Sequence, residues 1–266
     1  MRFILFLFLF SSIHSVLSQE EDSLQLIDSI PLVADVFVGL DNFEDYYYIK
    51  DNTLYKKTLK NRYSYTNTQL GPIASVDVTN PLKILVFYRD FNTIMILDNR
   101  LNELTDRINL SEASYGKNAT FASISSNNNL WLYSLDDNIL TLWNYEKKEV
   151  IFESQPLQFY QVGFEGWSQI SNYEKCWLAS NNGILEFNQY GSFIKATVIG
   201  DIKAIQSDNN HVIIVSGAKI YSLKGDKKEM LKNVDLNHLS TNFFVNKNTL
   251  VFFRSNMIFR YRIFKN

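Results

Sequence analysis

A strand–turn–strand unit recurs six times in this chain, and that recurrence restricts the fold more than any other feature. Each unit is a short apolar run, a turn rich in Asn and Asp, and a second apolar run. The paired runs are residues 46–50 with 54–59, 84–88 with 93–97, 130–133 with 139–143, 176–179 with 183–187, 211–215 with 219–223 and 250–253 with 257–263. The units start at Tyr46, Ile84, Leu130, Cys176, His211 and Leu250, at intervals of 38, 46, 46, 35 and 39. A four-stranded propeller blade takes roughly 40 to 45 residues. The runs are short and rich in β-branched and aromatic residues, which favours strand over helix. Residues 51–52, 90–92, 136–138, 181–183 and Gly217 form turns from residue types that tolerate a left-handed backbone. The expected fold is all-β, a six-bladed β-propeller.

Two further strands complete each expected blade. Inner strands are expected at 35–40, 73–78, 121–126, 168–171, 203–207 and 239–245, where Ser75, Ala122, Ser123 and Ser207 suit a crowded centre. Outer, more polar strands are expected at 63–70, 103–110, 149–153, 192–199 and 229–234. The sixth unit has no outer strand after it, and the chain has a spare apolar run at 23–32 before the first unit. The simplest assembly docks 24–30 on the edge of 258–264 and closes the ring, which removes an exposed sheet edge.

The first eighteen residues read as a signal peptide. Arg2 supplies a positive start, residues 3–10 are an unbroken apolar run, and Val16 and Ser18 suit cleavage before Gln19. The run is too short for a membrane span and is interrupted by Ser11, Ser12, His14 and Ser15. The expected organisation is a signal peptide over 1–18 and a single propeller domain over 19–266, with no membrane span in the mature chain. Cys176 is the single cysteine, so no internal disulfide forms and stability rests on the core. The formal charge of −2, or −3 once Arg2 is removed, gives no basic field for nucleic acid.

Candidate chemistry is sparse. Tyr88, Arg89, Asp90, Phe91 and Asn92 put a cation, a carboxylate, an amide and two aromatics on one turn between a second and a third strand. They form a binding patch or, on a plainer reading, a turn with Phe91 packed on the next blade and Arg89 paired to Asp90. Trp131, Trp143 and Trp177 fall in strands and read as packing; Trp167 lies in the longest break between blades, where binding residues concentrate. No catalytic signature and no cofactor fingerprint is present. A divalent cation is the alternative, with Asp77, Gln206, Asp208 and Asn242 approaching the axis. The charge run at 56–60 reads as solvated surface, and Cys176 as a small core residue.

Three segments carry a resemblance. SVDVTNPLKILVFYRDFNTIMILDNRLNEL (75–104), ATFASISSNNNLWLYSLDDNILTLWNYEKKEVIFES (119–154) and NNGILEFNQYGSFIKATVI (181–199) resemble a family of exported β-propeller proteins of Bacteroidota. The turn at 188–191 resembles those of NHL-type and gluconolactonase-like propellers. The family resemblance implies a propeller and export, and it brings no activity to carry over. The expected function is a non-catalytic interaction scaffold in the periplasm or at the outer membrane, a monomer within a complex whose partner is an envelope protein. The alternative is a metal-dependent lactonase-like hydrolase.

Overall fold

The computed structural model describes residues 23–41, 43–208, 211–231, 234–235 and 238–264. The signal-peptide reading of 1–18 lies outside them. The strands are β1 (Ser23–Pro31); β2 (Val36–Leu40), β3 (Tyr46–Lys50), β4 (Thr53–Lys57) and β5 (Arg62–Tyr65) in blade 1; and β6 (Ser75–Asp77), β7 (Ile84–Tyr88), β8 (Thr93–Leu97) and β9 (Ile108–Asn109) in blade 2. Blade 3 holds β10 (Phe121–Ile124), β11 (Asn129–Ser134), β12 (Ile139–Asn144) and β13 (Glu149–Glu153). Blade 4 holds β14 (Ser168–Ser171), β15 (Lys175–Ser180), β16 (Gly183–Asn188) and β17 (Phe193–Val198). Blade 5 holds β18 (Ile202–Asp208), β19 (His211–Ser216), β20 (Lys219–Lys224) and β21 (Lys227–Leu231), and blade 6 adds β22 (Phe243–Asn246), β23 (Thr249–Arg254) and β24 (Met257–Phe264). Each blade is a four-stranded antiparallel sheet, and the sixth runs β22–β23–β24–β1. The chain is a six-bladed β-propeller.

Alternation along the middle strands builds the ring. In β7, Ile84, Val86 and Tyr88 pack on Tyr47, Ile49 and Leu54 of blade 1. The intervening Leu85 and Phe87 pack on Leu130, Leu132 and Trp143 of blade 3. The same division recurs onward: Trp131 and Tyr133 meet Cys176 and Leu178, and Trp177 and Ala179 meet Val212 and Ile214. Ile213 and Val215 meet Leu250 and Phe252, and Val251 and Phe253 meet Phe37 and Leu40. A strand buried on both faces needs no polar alternation, so β7 and β8 are apolar nearly throughout. Cys176 is fully buried, and burial pushes its thiol up.

Closure uses the expected edge, 24–30 against 258–264. Ser23 pairs with Phe264 and Pro31 with Met257, with one irregularity between Leu26 and Asp28. Leu24 is buried in the core between blades 5 and 6, while Ile30 and Leu32 pack on that between blades 6 and 1. Arg260 fastens the seam: its Nε donates to Asp28 Oδ1 at 2.7 Å, and its terminal nitrogen to Oδ2. This fork holds the Asp28 carboxyl below the usual carboxylate range.

The expected strands and the observed ones differ mainly at the inner and outer positions. The outer strand expected at 103–110 shrinks to β9 and a bridge between Leu97 and Glu103. Asp98 Oδ1 accepts from the backbone N–H groups of Arg100 and Asn102, and the resulting turn steers the chain away from β8. The inner strand expected at 73–78 stops at Asp77, whose Oδ1 accepts from Thr79 N. The charge run is also corrected. Lys56 is buried, its Nζ 3.0 Å from Asp41 Oδ2 and 3.2 Å from Asp45 Oδ2, and 5.0 Å above the Tyr47 ring. Asp41 also accepts from Tyr47 Oη at 3.0 Å and from the Phe43 and Asp45 N–H groups.

One side-chain device repeats at the end of the ring where second strands turn into third strands, here termed the upper face. Asn52, Asn92 and Asn138 adopt left-handed φ values of 54°, 45° and 54°. Their amides clamp the linkers between blades. Asn52 donates to Gly71 O and accepts from Ile73 N. Asn92 donates to Ser111 Oγ and Lys117 O and accepts from Ala119 N. Asn138 donates to Phe164 O and Gln158 Oε1 and accepts from Tyr133 Oη. The backbone repeats the pattern: Leu110 N, Leu157 N and Leu32 N donate to the carbonyls of Asn92, Asn138 and Asn256 at 2.8–2.9 Å.

Three outcomes are expected. Lys56→Met leaves Asp41 charged and buried without its cation, and urea denaturation should show a loss of about 3–5 kcal/mol. Asn138→Ala removes the clamp and strains a left-handed residue, so it should cost about 2 kcal/mol in the same assay, with Asn138→Gly losing less. Because the folded Asp28 carboxyl sits below its unfolded value, its contribution is present at neutral pH and is lost as pH falls through the folded value. The hydrogen-exchange protection factors at Leu24 and Tyr261, corrected for the intrinsic exchange rate at each pH, should therefore fall below about pH 4, and Asp28→Asn should remove that acid sensitivity.

Candidate functional site

The turn 88–92 is divided between frame and surface. Tyr88 and Asn92 are buried; Arg89, Asp90 and Phe91 are exposed and form a single 3-10 turn. Burial pushes the Tyr88 hydroxyl up. Arg89 does not pair with Asp90. Its Nε donates to Thr120 O at 3.1 Å, and its guanidinium lies 5.5 Å from the Phe121 ring centre, so it ties blade 2 to blade 3. Phe91 leans back on the preceding linker, where a methyl added at Gly71 would touch its ring at 3.4 Å. Half of that phenyl remains in solvent, at 52 %. Asp90 stands in solvent.

From this turn a connected arc runs over the upper face. Thr120 also accepts from Leu135 N through its Oγ1, at 2.9 Å. Leu135 opens the next turn, whose Asn138 holds the linker 154–167. That linker is the longest between blades, and it lifts Phe159 and Val162 into solvent at 74 % and 92 % exposure. Gln161 beside them donates to Asn182 O at 3.1 Å, which fastens the linker to blade 4. Phe91, Leu135, Phe159 and Val162 thus stand exposed on a hydrogen-bonded frame. Exposed apolar side chains held on a fixed frame are one of the features of a partner surface.

Trp167 belongs to the frame. It is half-buried, its backbone N–H donates to Ala179 O at 2.9 Å, and its ring packs against the Trp177 core with Ile170. Trp131, Trp143 and Trp177 are buried strand residues. Phe159, Val162 and Leu135 were not singled out in the sequence. The signal for them was an apolar residue inside a linker or turn that otherwise carries polar and Gly residues.

The axis holds a channel of about 300 Å³ lined by inner strands of every blade. Asp77 is in its wall and accepts from Thr79 N at 2.8 Å and Ile124 N at 2.7 Å, and desolvation pushes its carboxyl up. Gln206 also lines the channel. Asn242 precedes β22 and Asp77 ends β6, so these two sit at opposite ends of inner strands that run the same way. The Asp208 side chain lies outside the described residues. Among the described residues, no three of His, Cys, Asp and Glu gather as a metal group. His238 is stacked on Phe259 with ring centres 3.7 Å apart, and its Nδ1 is 2.6 Å from Tyr261 Oη, on the third strand of blade 6. No helix among the described residues is long and apolar enough to cross a membrane.

No family model and no curated protein sequence matches the chain. Solved structures match it by fold. Virginiamycin B lyase of Staphylococcus aureus superposes with a TM-score of 0.57 at 13 % identity, covering 92 % of this chain and 90 % of that one. The β-propeller domain of Myceliophteria thermophila Cps50 gives 0.61 at 7 % identity, covering 91 % and 100 %. The Pan2 WD40 domain of Neurospora crassa gives 0.58 at 9 % identity, covering 85 % and 74 %. The chain therefore shares the β-propeller fold with a lyase and with WD40 domains alike, and at these identities the likeness concerns the fold alone.

Proposed function

We propose that this chain is an exported, non-catalytic β-propeller that acts as an interaction scaffold in the periplasm or at the outer membrane. It docks an envelope protein on the upper face of blades 2 to 4 and works as a monomer within that complex. The observation that carries the reading is the exposed arc of Phe91, Leu135, Phe159 and Val162 on a frame fixed by Arg89, Asn92 and Asn138. A pre-ordered face loses little conformational entropy when it binds. The charged start and apolar run of residues 2–10 support export.

The test is affinity capture from a cell-envelope extract with the wild-type chain and with a Phe91→Ser, Phe159→Ser double variant. Wild type should hold a stoichiometric partner. The double variant should lose it while its melting temperature falls by no more than a few degrees, because Phe159 is largely and Phe91 half in solvent. A double variant that captures the same partner equally well sinks the reading.

A further inference from the structure

The seam between blades 6 and 1 carries an open cleft of about 580 Å³. The core at the interface of these two blades is thin. Five buried apolar side chains make up that core, against twelve between blades 1 and 2. The face of blade 1 that looks across the seam is opposite the one bearing Tyr47, Ile49 and Leu54, which pack on blade 2. Register orders that seam-facing side into rows. Lys50 pairs with Thr53 in one row, Tyr48 with Tyr55 in the next, and Tyr46 with Lys57 in the third, where Lys57 in turn pairs with Arg62. The two tyrosine rings are stacked at 5.2 Å, and the Arg62 guanidinium lies 5.4 Å from the Tyr55 ring centre. Lys60 adds a further cation at the lower end, and Leu32, Val33 and Leu59 add apolar edges. Asp51 is the lone carboxylate in the lining. Among the described residues, Lys50, Lys57 and Lys60 have no carboxylate partner.

We propose that this cleft is a docking groove for an extended segment of a partner protein with acidic, apolar and acidic side chains at positions i, i+2 and i+4. The rows run cation, aromatic, cation, and successive rows are two residues apart along the strands, about 7 Å. An extended peptide lying along them places alternate side chains at that same spacing, so each acid meets a cation row and the apolar residue meets Tyr55, the half-exposed member of the pair, with Tyr48 buried beneath it. Four cations against one carboxylate, in a chain of formal charge −2, give a local field of the opposite sign to the whole. An aromatic row between the cations favours an apolar contact that a bare polyanion lacks. The groove lies away from the arc on blades 2 to 4, and neither reading rests on the other.

Fluorescence anisotropy with the full chain tests the proposal. The probe is a labelled peptide with Glu-Thr-Leu-Thr-Glu at its centre, compared with one carrying Leu-Thr-Glu-Thr-Leu. The first should bind at least about tenfold more tightly, and added salt should weaken it. Lys57→Glu combined with Arg62→Glu should abolish that binding with an unchanged melting temperature, since both side chains are exposed. Equal affinity for the two peptides, or undiminished binding by the double variant, overturns the proposal. So does a short heparin fragment that binds more tightly than the peptide, which assigns the cleft to a sulfated sugar. Self-association in sedimentation that the same double substitution removes assigns it to a second copy and overturns it as well.

Discussion

Every blade depends on its neighbours through middle strands that are covered on both faces. Among the described residues, no blade of this ring has a core of its own. Ile84 and Leu85 are adjacent in β7, yet they belong to different cores, one shared with blade 1 and one with blade 3. The apolar area that stabilises the molecule is therefore distributed over six interfaces linked in a circle, and removing one sheet would strip two of them. The one place where the ring is not joined by the chain itself is the β24–β1 pairing inside blade 6, and there a nine-residue strand closes the circle through hydrogen bonds and the Arg260 fork.

This arrangement explains which parts were legible in the sequence. Residues 84–88 and 93–97 match their strands end for end, because double-sided burial leaves an unbroken apolar run bounded by turn residues. The closing strand was legible for a related reason, since a run bearing Leu24, Leu26, Ile30 and Leu32 makes a poor linker. Inner and outer strands were less so. Their ends are set by side chains such as Asp77 and Asp98, which bend the backbone by accepting its N–H groups. A carboxylate or amide in a turn looks the same in sequence whether it ends a strand or merely follows one.

The candidate face was legible in half. Residues 88–92 do lie on the turn between second and third strands, but Tyr88 and Asn92 serve the frame and Arg89 spans two blades. The left-handed backbone accounts for an Asn at position 138 without further help, so its second task, clamping a linker 20 to 26 residues away, left no trace in sequence. Lys56 is the sharpest misreading. A lysine in a run of lysines is ordinarily solvated, and only the fold could bring Asp41 and Asp45 beside it in a buried position.

The seam also imposes an order of events. β1 is synthesised before every blade, while its partner β24 comes last. Throughout translation the earliest strand has nothing to pair with, and its apolar side chains have no core to enter. The separation of Ser23 from Phe264 along the chain makes this the most distant contact in the ring, a pairing that comes slowly. Until the final strand arrives the nascent molecule is an open fan with two sticky edges, and any factor that escorts it to completion has to shield the first strand for the longest time.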